Sequence, residues 1–184
     1  HEVASDGSRS GVVADLNGDG YDDLVLGMFN NGTEPELNAY VYFGSDEPYS
    51  ERRRQLLPAP HCLSVASGDF NGDGKPDLAF LRQREGGSGE TGPDPTDRLL
   101  RVFTQADLGF EPEHFEDLEI DADSVAAADL DGDGYLDIVT SSWDPSEPMK
   151  YLHNDANGRF TDYTAQAGLG GQLGGLNIVQ ADYN

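Results

Sequence analysis

Three short stretches of this chain place acidic or amide side chains at every second position. They read Asp15-Leu16-Asn17-Gly18-Asp19-Gly20-Tyr21-Asp22-Asp23, Asp69-Phe70-Asn71-Gly72-Asp73-Gly74-Lys75-Pro76-Asp77 and Asp129-Leu130-Asp131-Gly132-Asp133-Gly134-Tyr135-Leu136-Asp137. Counted from the first Asp, positions one, three and five project carboxylate or amide oxygens inward from a tightly curved backbone. Position six is Gly20, Gly74 or Gly134, which permits the sharp turn that a side chain would obstruct. Position seven can offer a backbone carbonyl, so Tyr21, Lys75 and Tyr135 are free to differ, and a ninth-position Asp closes the shell. Such a donor set suits calcium, a hard cation that takes about six to eight oxygens. Magnesium demands a tighter octahedron and usually retains waters. The expected ligands of three calcium ions are therefore Asp15, Asn17, Asp19, Tyr21 and Asp23; Asp69, Asn71, Asp73, Lys75 and Asp77; and Asp129, Asp131, Asp133, Tyr135 and Asp137. Asp22, at position eight, is read as solvated. One such loop alone would equally be a metal-free Asx turn; three with matching flanks favour the metal.

The elements that must position these loops repeat with them. The first Asp of each copy lies 54 and then 60 residues after the last, and Ala181-Asp182-Tyr183-Asn184 opens a fourth copy 53 residues on. Small or apolar residues precede each loop, as in Val12-Val13-Ala14, and a strand-like run follows it: Leu24-Val25-Leu26, Leu78-Ala79-Phe80, Ile138-Val139-Thr140. This reads as strand–loop–strand. Third strands are expected at 39–43, 99–103 and 149–153, and a fourth is clearest in the last unit, at 159–163. Four antiparallel strands in about 55 residues describe a β-propeller blade. The chain is accordingly expected to be all-β, with repeats at 1–58, 59–118 and 119–171 and the start of another at 172–184. An EF-hand is excluded, because its twelfth position must be a bidentate Glu leading into a helix. Here that position is Leu26, Phe80 or Thr140, inside the apolar run.

These loops and flanks resemble the FG-GAP/VCBS repeats of integrin α-subunit propellers and of many bacterial surface or secreted proteins. The segment Tyr151-Leu152-His153-Asn154-Asp155-Ala156-Asn157-Gly158-Arg159-Phe160-Thr161-Asp162-Tyr163-Thr164 is most similar to the VCBS type. Tyr42-Phe43-Gly44 resembles the Phe-Gly element, but no Gly-Ala-Pro follows it. The resemblance implies a closed propeller of about six to eight blades, with calcium in the hairpin between the first two strands of each. Three units cannot close such a ring, so a longer parent protein is expected.

Composition bounds the partners. The chain has 184 residues, 35 acids and 11 bases, and a formal charge of −24. Nucleic acid is an unsuitable partner, since its phosphates are bound through clustered Lys and Arg. The one basic run, Arg52-Arg53-Arg54, reads as a solvated strand edge. Cys62 is the single cysteine, so no intrachain disulfide forms, and it reads as a buried or half-buried strand residue. No apolar run approaches the roughly 18 residues that span a bilayer. His1, His61, His114 and His153 show no metal-ligand spacing and read as surface or strand positions. Residues 168–175, rich in Gly, read as an interblade linker, and Asn31-Gly32-Thr33 is a glycosylation sequon. Trp143, Tyr40, Tyr42 and Tyr151 could make a sugar-stacking surface or could simply pack within strands.

Three functions are compatible with these residues. The favoured one is a calcium-stapled, non-catalytic, extracellular module for recognition or adhesion. The others are the scaffold of a polysaccharide-active or other secreted enzyme, and a purely architectural domain. No convergent acid, base or nucleophile set is visible away from the loops. A glycan or protein ligand is expected on the face opposite the metal loops, where the hairpins Asn30 to Leu37, Arg82 to Asp97 and Ser142 to Pro148 differ in length and composition.

Overall fold

The computed structural model describes residues 7–30, 32, 37–83, 98–106, 109–142, 148–156, 159–172 and 175. The three variable hairpins for the most part, Trp143, most of the sequon, His1 and the opening of the fourth repeat lie outside those residues.

The first sheet comprises β1 (Ser8–Ala14), β2 (Asp23–Met28), β3 (Ala39–Tyr42) and β4 (Arg54–Leu57), in that spatial order. The second is built from β5 (Cys62–Gly68), β6 (Asp77–Gln83) and β7 (Arg98–Phe103). It is completed, after a small hairpin of β8 (Gln105–Ala106) and β9 (Gly109–Phe110), by β10 (Glu116–Glu119). The third is β11 (Ser124–Ala128), β12 (Asp137–Ser141), β13 (Lys150–Asn154) and β14 (Phe160–Asp162). All pairings are antiparallel. The only helical element among the described residues is the single 3-10 turn Glu51–Arg53. No helix among them is long and apolar enough to cross a membrane.

Strands β5, β6 and β7 of the second sheet are buried on both faces, and the two-residue period of a strand divides their side chains between two cores. From β6, Leu78 and Phe80 point toward the first sheet and pack with Val25, Val41 and Leu57. Ala79 and Leu81, on the opposite face, pack with Val125 and Ile138 of the third sheet. A strand covered on both sides reads as a continuous apolar run, which is why Leu78-Ala79-Phe80-Leu81 shows no alternation.

The first strands of successive sheets lie against one another, β1 on β5 and β5 on β11. Small residues make that approach possible. A Cβ on Gly27 would stand 2.3 Å from the Cys62 sulfur, and one on Gly68 would stand 2.2 Å from Leu136 Cδ1. Serines join the sheets at the same place. The Val65 amide donates to Ser10 Oγ, and the Val125 amide donates to Ser64 Oγ, both at 3.2 Å. Ser10, Ser64 and Ser124 each stand five residues before the first Asp of a loop. The Arg98 guanidinium adds a buried ion pair to Asp123, at the entrance to β11.

Two surface readings from the sequence are corrected. Tyr42 and Tyr151 are buried and Tyr40 lies under the Arg54 guanidinium, 4.5 Å from its ring centre, so these three form no sugar-stacking surface. The basic triplet is not simply solvated. Arg53 donates to the carbonyls of Phe43, Glu47 and Pro48, tying down the β3–β4 connection. Cys62 is fully buried, as expected, and burial pushes its thiol up to about 12.

Because Gly27 is held against Cys62, Gly27→Ala is expected to destabilise the fold by about 1–3 kcal/mol. Adding Cys62→Ala, which removes the sulfur, should recover part of the loss in denaturant melts. Strictly additive effects would show that the two residues do not meet.

Candidate metal centres

Each Asp-rich stretch leaves the first strand of a sheet, turns outside it, and re-enters on its ninth residue, the first of the second strand. Two glycines per loop adopt left-handed backbone angles, with φ of 71° and 88° at Gly18 and Gly20. Their counterparts Gly72, Gly74, Gly132 and Gly134 do the same. An L side chain would be strained there.

The acidic side chains fold the loop around themselves. Asp15 accepts hydrogen bonds from the amides of Gly18, Asp19 and Gly20 at 2.8, 3.1 and 2.9 Å. Asp69 does the same with Gly72, Asp73 and Gly74 at 2.7, 3.2 and 2.8 Å. Asp129 accepts from Gly132 and Gly134 at 2.7 and 3.1 Å. Position three (Asn17, Asn71 or Asp131) accepts from the amide of position five. Position five (Asp19, Asp73 or Asp133) accepts from the amide of position seven (Tyr21, Lys75 or Tyr135), each at 2.9 Å. The position-five acids and Asp129 are exposed at the loop surface, whereas Asp15 and Asp69 are half-buried.

The ninth-position acids behave differently. Asp23, Asp77 and Asp137 have no exposed surface. One carboxylate oxygen of each accepts from the amide of loop position two: Leu16 at 2.8 Å, Phe70 at 2.9 Å and Leu130 at 3.0 Å. The other accepts from an amide at or just beyond the end of the third strand: Gly44 at 2.7 Å, Gln105 at 2.7 Å and Asn154 at 2.9 Å. The sequence suggested a closing ligand at this position, and the structure adds a second task, fastening the loop to its sheet. Burial raises the Asp77 carboxyl to about 6 against the pull of its two amide donors, with Asp73 and Asp69 adding repulsion. The Asp23 carboxyl is raised for the same first reason, burial.

Two of the residues held by these acids reach across to the preceding sheet. The Gln105 side-chain amide donates to the Leu16 carbonyl at 2.7 Å, and that of Asn154 donates to the Phe70 carbonyl at 2.7 Å. Gly44, the counterpart in the first sheet, has no side chain to extend. A cleft of about 540 Å³ opens between the first two loops, lined by Asp15, Asn17, Phe43, Lys75 and Gln105 among others.

The donor chemistry fits a hard cation. In the third loop, oxygens of Asp129, Asp131 and Asp133 lie within 4.8 Å of one another, and a second grouping unites Asp131, Asp137 and His153. In the first two loops the Asn amide nitrogen donates to the position-five carboxylate, at 2.9 Å from Asn17 to Asp19 and 3.2 Å from Asn71 to Asp73. Two features escaped the sequence reading. The serines that link the inner strands, Ser10 and Ser64, sit five residues before their loops, and His153 lies beside the third loop.

The FG-GAP-like repeat pattern matches residues 15–80 and 129–184, and each matched stretch begins on the first Asp of a loop. The chain belongs to the FG-GAP-like repeat family. It is also 36% identical, over 75 residues, to a T-cell immunomodulatory protein homolog of Plasmodium falciparum (isolate 3D7). That alignment takes in 38% of this chain and 10% of the relative, so the chain spans only a small part of the relative's length. The FG-GAP-like matches begin at Asp15 and Asp129, and the second loop, at Asp69, falls inside the first matched stretch.

Two outcomes are expected of this arrangement. Gln105→Ala and Asn154→Ala remove the donors to the Leu16 and Phe70 carbonyls and should each cost about 1–3 kcal/mol in denaturant melts; neutral substitutions would dismiss the clamp. The second concerns protons. A buried acid whose folded-state pKa is raised opposes folding once pH exceeds its unfolded value. In metal-free protein, the stability advantage of wild type over Asp77→Asn should therefore shrink as pH rises from about 4 through about 6. An advantage that grows with pH would mean the carboxylate is stabilised in place.

Proposed function

We propose that this chain is a segment of a calcium-stapled β-propeller that serves recognition or adhesion outside the cell. The observation that carries the reading is the threefold loop, with each ninth-position Asp binding its own sheet and, in two cases, aiming a clamp at the sheet before. Sheets stacked through their first strands, each of four antiparallel strands, are the arrangement of propeller blades. The membership of the FG-GAP-like repeat family and the resemblance to VCBS and integrin-type repeats support an extracellular setting. In this reading Asp15, Asn17 and Asp19 with Asp23 hold the first calcium. Asp69, Asn71 and Asp73 with Asp77 hold the second, and Asp129, Asp131 and Asp133 with Asp137 the third. Backbone carbonyls of Tyr21, Lys75 and Tyr135 complete the oxygen sets. The cation neutralises carboxylates that otherwise repel one another.

The role is read as non-catalytic. Cys62, the single thiol, is buried and its raised pKa keeps it protonated at neutral pH, which denies it nucleophilic use. A polar partner, such as a glycan or an extended peptide, is assigned to the face opposite the metal loops. In this reading Met28, Gln83 and Ser141, where the second strands end away from their metal loops, mark that face.

The test is calcium itself. After dialysis against micromolar calcium the protein should retain three ions per chain. It should also melt several degrees higher than in chelator, since each site adds about 2.7 kcal/mol at a hundredfold excess over its dissociation constant. Less than one ion per chain, or coincident melts, would overturn the reading.

A further inference from the structure

The third loop differs from the other two in a way that calcium does not require. In the first two sheets, the residue just before the amide that binds the ninth-position Asp is Phe43 or Thr104; in the third it is His153. At loop position three the third copy has Asp131, where the others have Asn17 and Asn71. One loop therefore gains both an imidazole and a carboxylate, and the structure brings the two together. His153 Nδ1 lies 3.2 Å from Asp131 Oδ2 and 3.3 Å from Asp137 Oδ1.

The imidazole is held firmly but its Nδ1 is unused. The ring stacks on Tyr163, with centres 4.7 Å apart and planes at 22°, and Tyr151 meets it edge-on at 6.3 Å. The side chain is 14% exposed, and the Nδ1 atom is buried without a hydrogen-bond partner. The two carboxylate oxygens are within ion-pair distance, yet neither contact has hydrogen-bond geometry. Three donor atoms that crowd together without pointing at one another are arranged as ligands converging on a common centre are.

We infer that His153, Asp131 and Asp137 form a binding site for a divalent transition ion of the zinc class. It adjoins the all-oxygen group of Asp129, Asp131 and Asp133, and Asp131 belongs to both. Imidazole nitrogen favours zinc and its neighbours, whereas calcium takes oxygen and gains little from nitrogen. Fixed orientation of a ligating imidazole by its surroundings raises affinity, and the Tyr163 stack supplies that here. The three-calcium reading is the background to this inference, and the shared Asp131 and Asp137 make the two ions competitors at one loop only.

The experiment uses Zn2+ and Co2+ as probes, with calcium measured in parallel. Wild-type protein should bind one equivalent of Zn2+ and lose one of its three calcium ions. With Co2+ it should develop the visible d–d absorption of a four- or five-coordinate site. His153→Phe and His153→Thr copy the residues of the first and second sheets at the same register, so at least one should fold. Either should lose the Zn2+ equivalent and the cobalt band at least tenfold in affinity, and keep all three calcium ions. Zn2+ bound equally by wild type and both variants would overturn the site, as would no Zn2+ uptake beside intact calcium binding. Zn2+ uptake without calcium at the other loops would support the site and defeat the calcium reading.

Discussion

A carboxylate buried at the foot of each loop holds this protein in shape. Asp23, Asp77 and Asp137 are sealed from solvent, and burying an unsatisfied charge would cost several kcal/mol. Each meets that cost with two backbone amides, one from the start of its loop and one from the end of the third strand or just beyond it. Charge-assisted hydrogen bonds of this kind are roughly twice as strong as neutral ones. The geometry joins three parts of one sheet that are distant in sequence: the loop, the second strand and the exit of the third. The loop's curvature, and thus the placing of its exposed acids, follows from that anchoring.

The same carboxylates relate loop to loop. By fixing the backbone of Gln105 and Asn154 they aim two side-chain amides at carbonyls of the preceding sheet. The serine bonds between inner strands and the two shared cores act over the same interfaces. The polar contacts set register and the apolar ones supply most of the free energy. Burial of side chains such as Phe80 and Ile138 is worth roughly 1.5–3 kcal/mol each, more than a typical net hydrogen bond.

Much of this was legible in the sequence, because it repeats. The three loops, their flanking strands and the third strand of each unit follow from the repeat spacing, whereas β4, β10 and the β8–β9 hairpin carry no such mark. What was less legible depends on distance across the fold. A ninth-position Asp looks the same whether it serves an ion, the backbone or both. The residues it grips, Gly44, Gln105 and Asn154, differ in type and lie 21, 28 and 17 residues onward, so no pattern marks them. His153 stands 16 residues from Asp137 across a hairpin, and a search for short ligand spacings passes it by. The serines at 10 and 64 were the opposite case, a regular signal whose meaning lay in the neighbouring sheet. Tyr40, Tyr42 and Arg53 misled because a strand's aromatic or basic residues carry no mark of which layer will cover them.

The clamp also has a direction in time. Each side-chain amide reaches back to a sheet made earlier, 89 residues upstream for Gln105 and 84 for Asn154. On a ribosome adding about 5–20 residues per second, the Leu16 carbonyl would wait roughly 4–18 seconds for its donor to be synthesised. A freshly emerged sheet is thus provisional until its successor arrives, and the chain is completed in the order in which it is made.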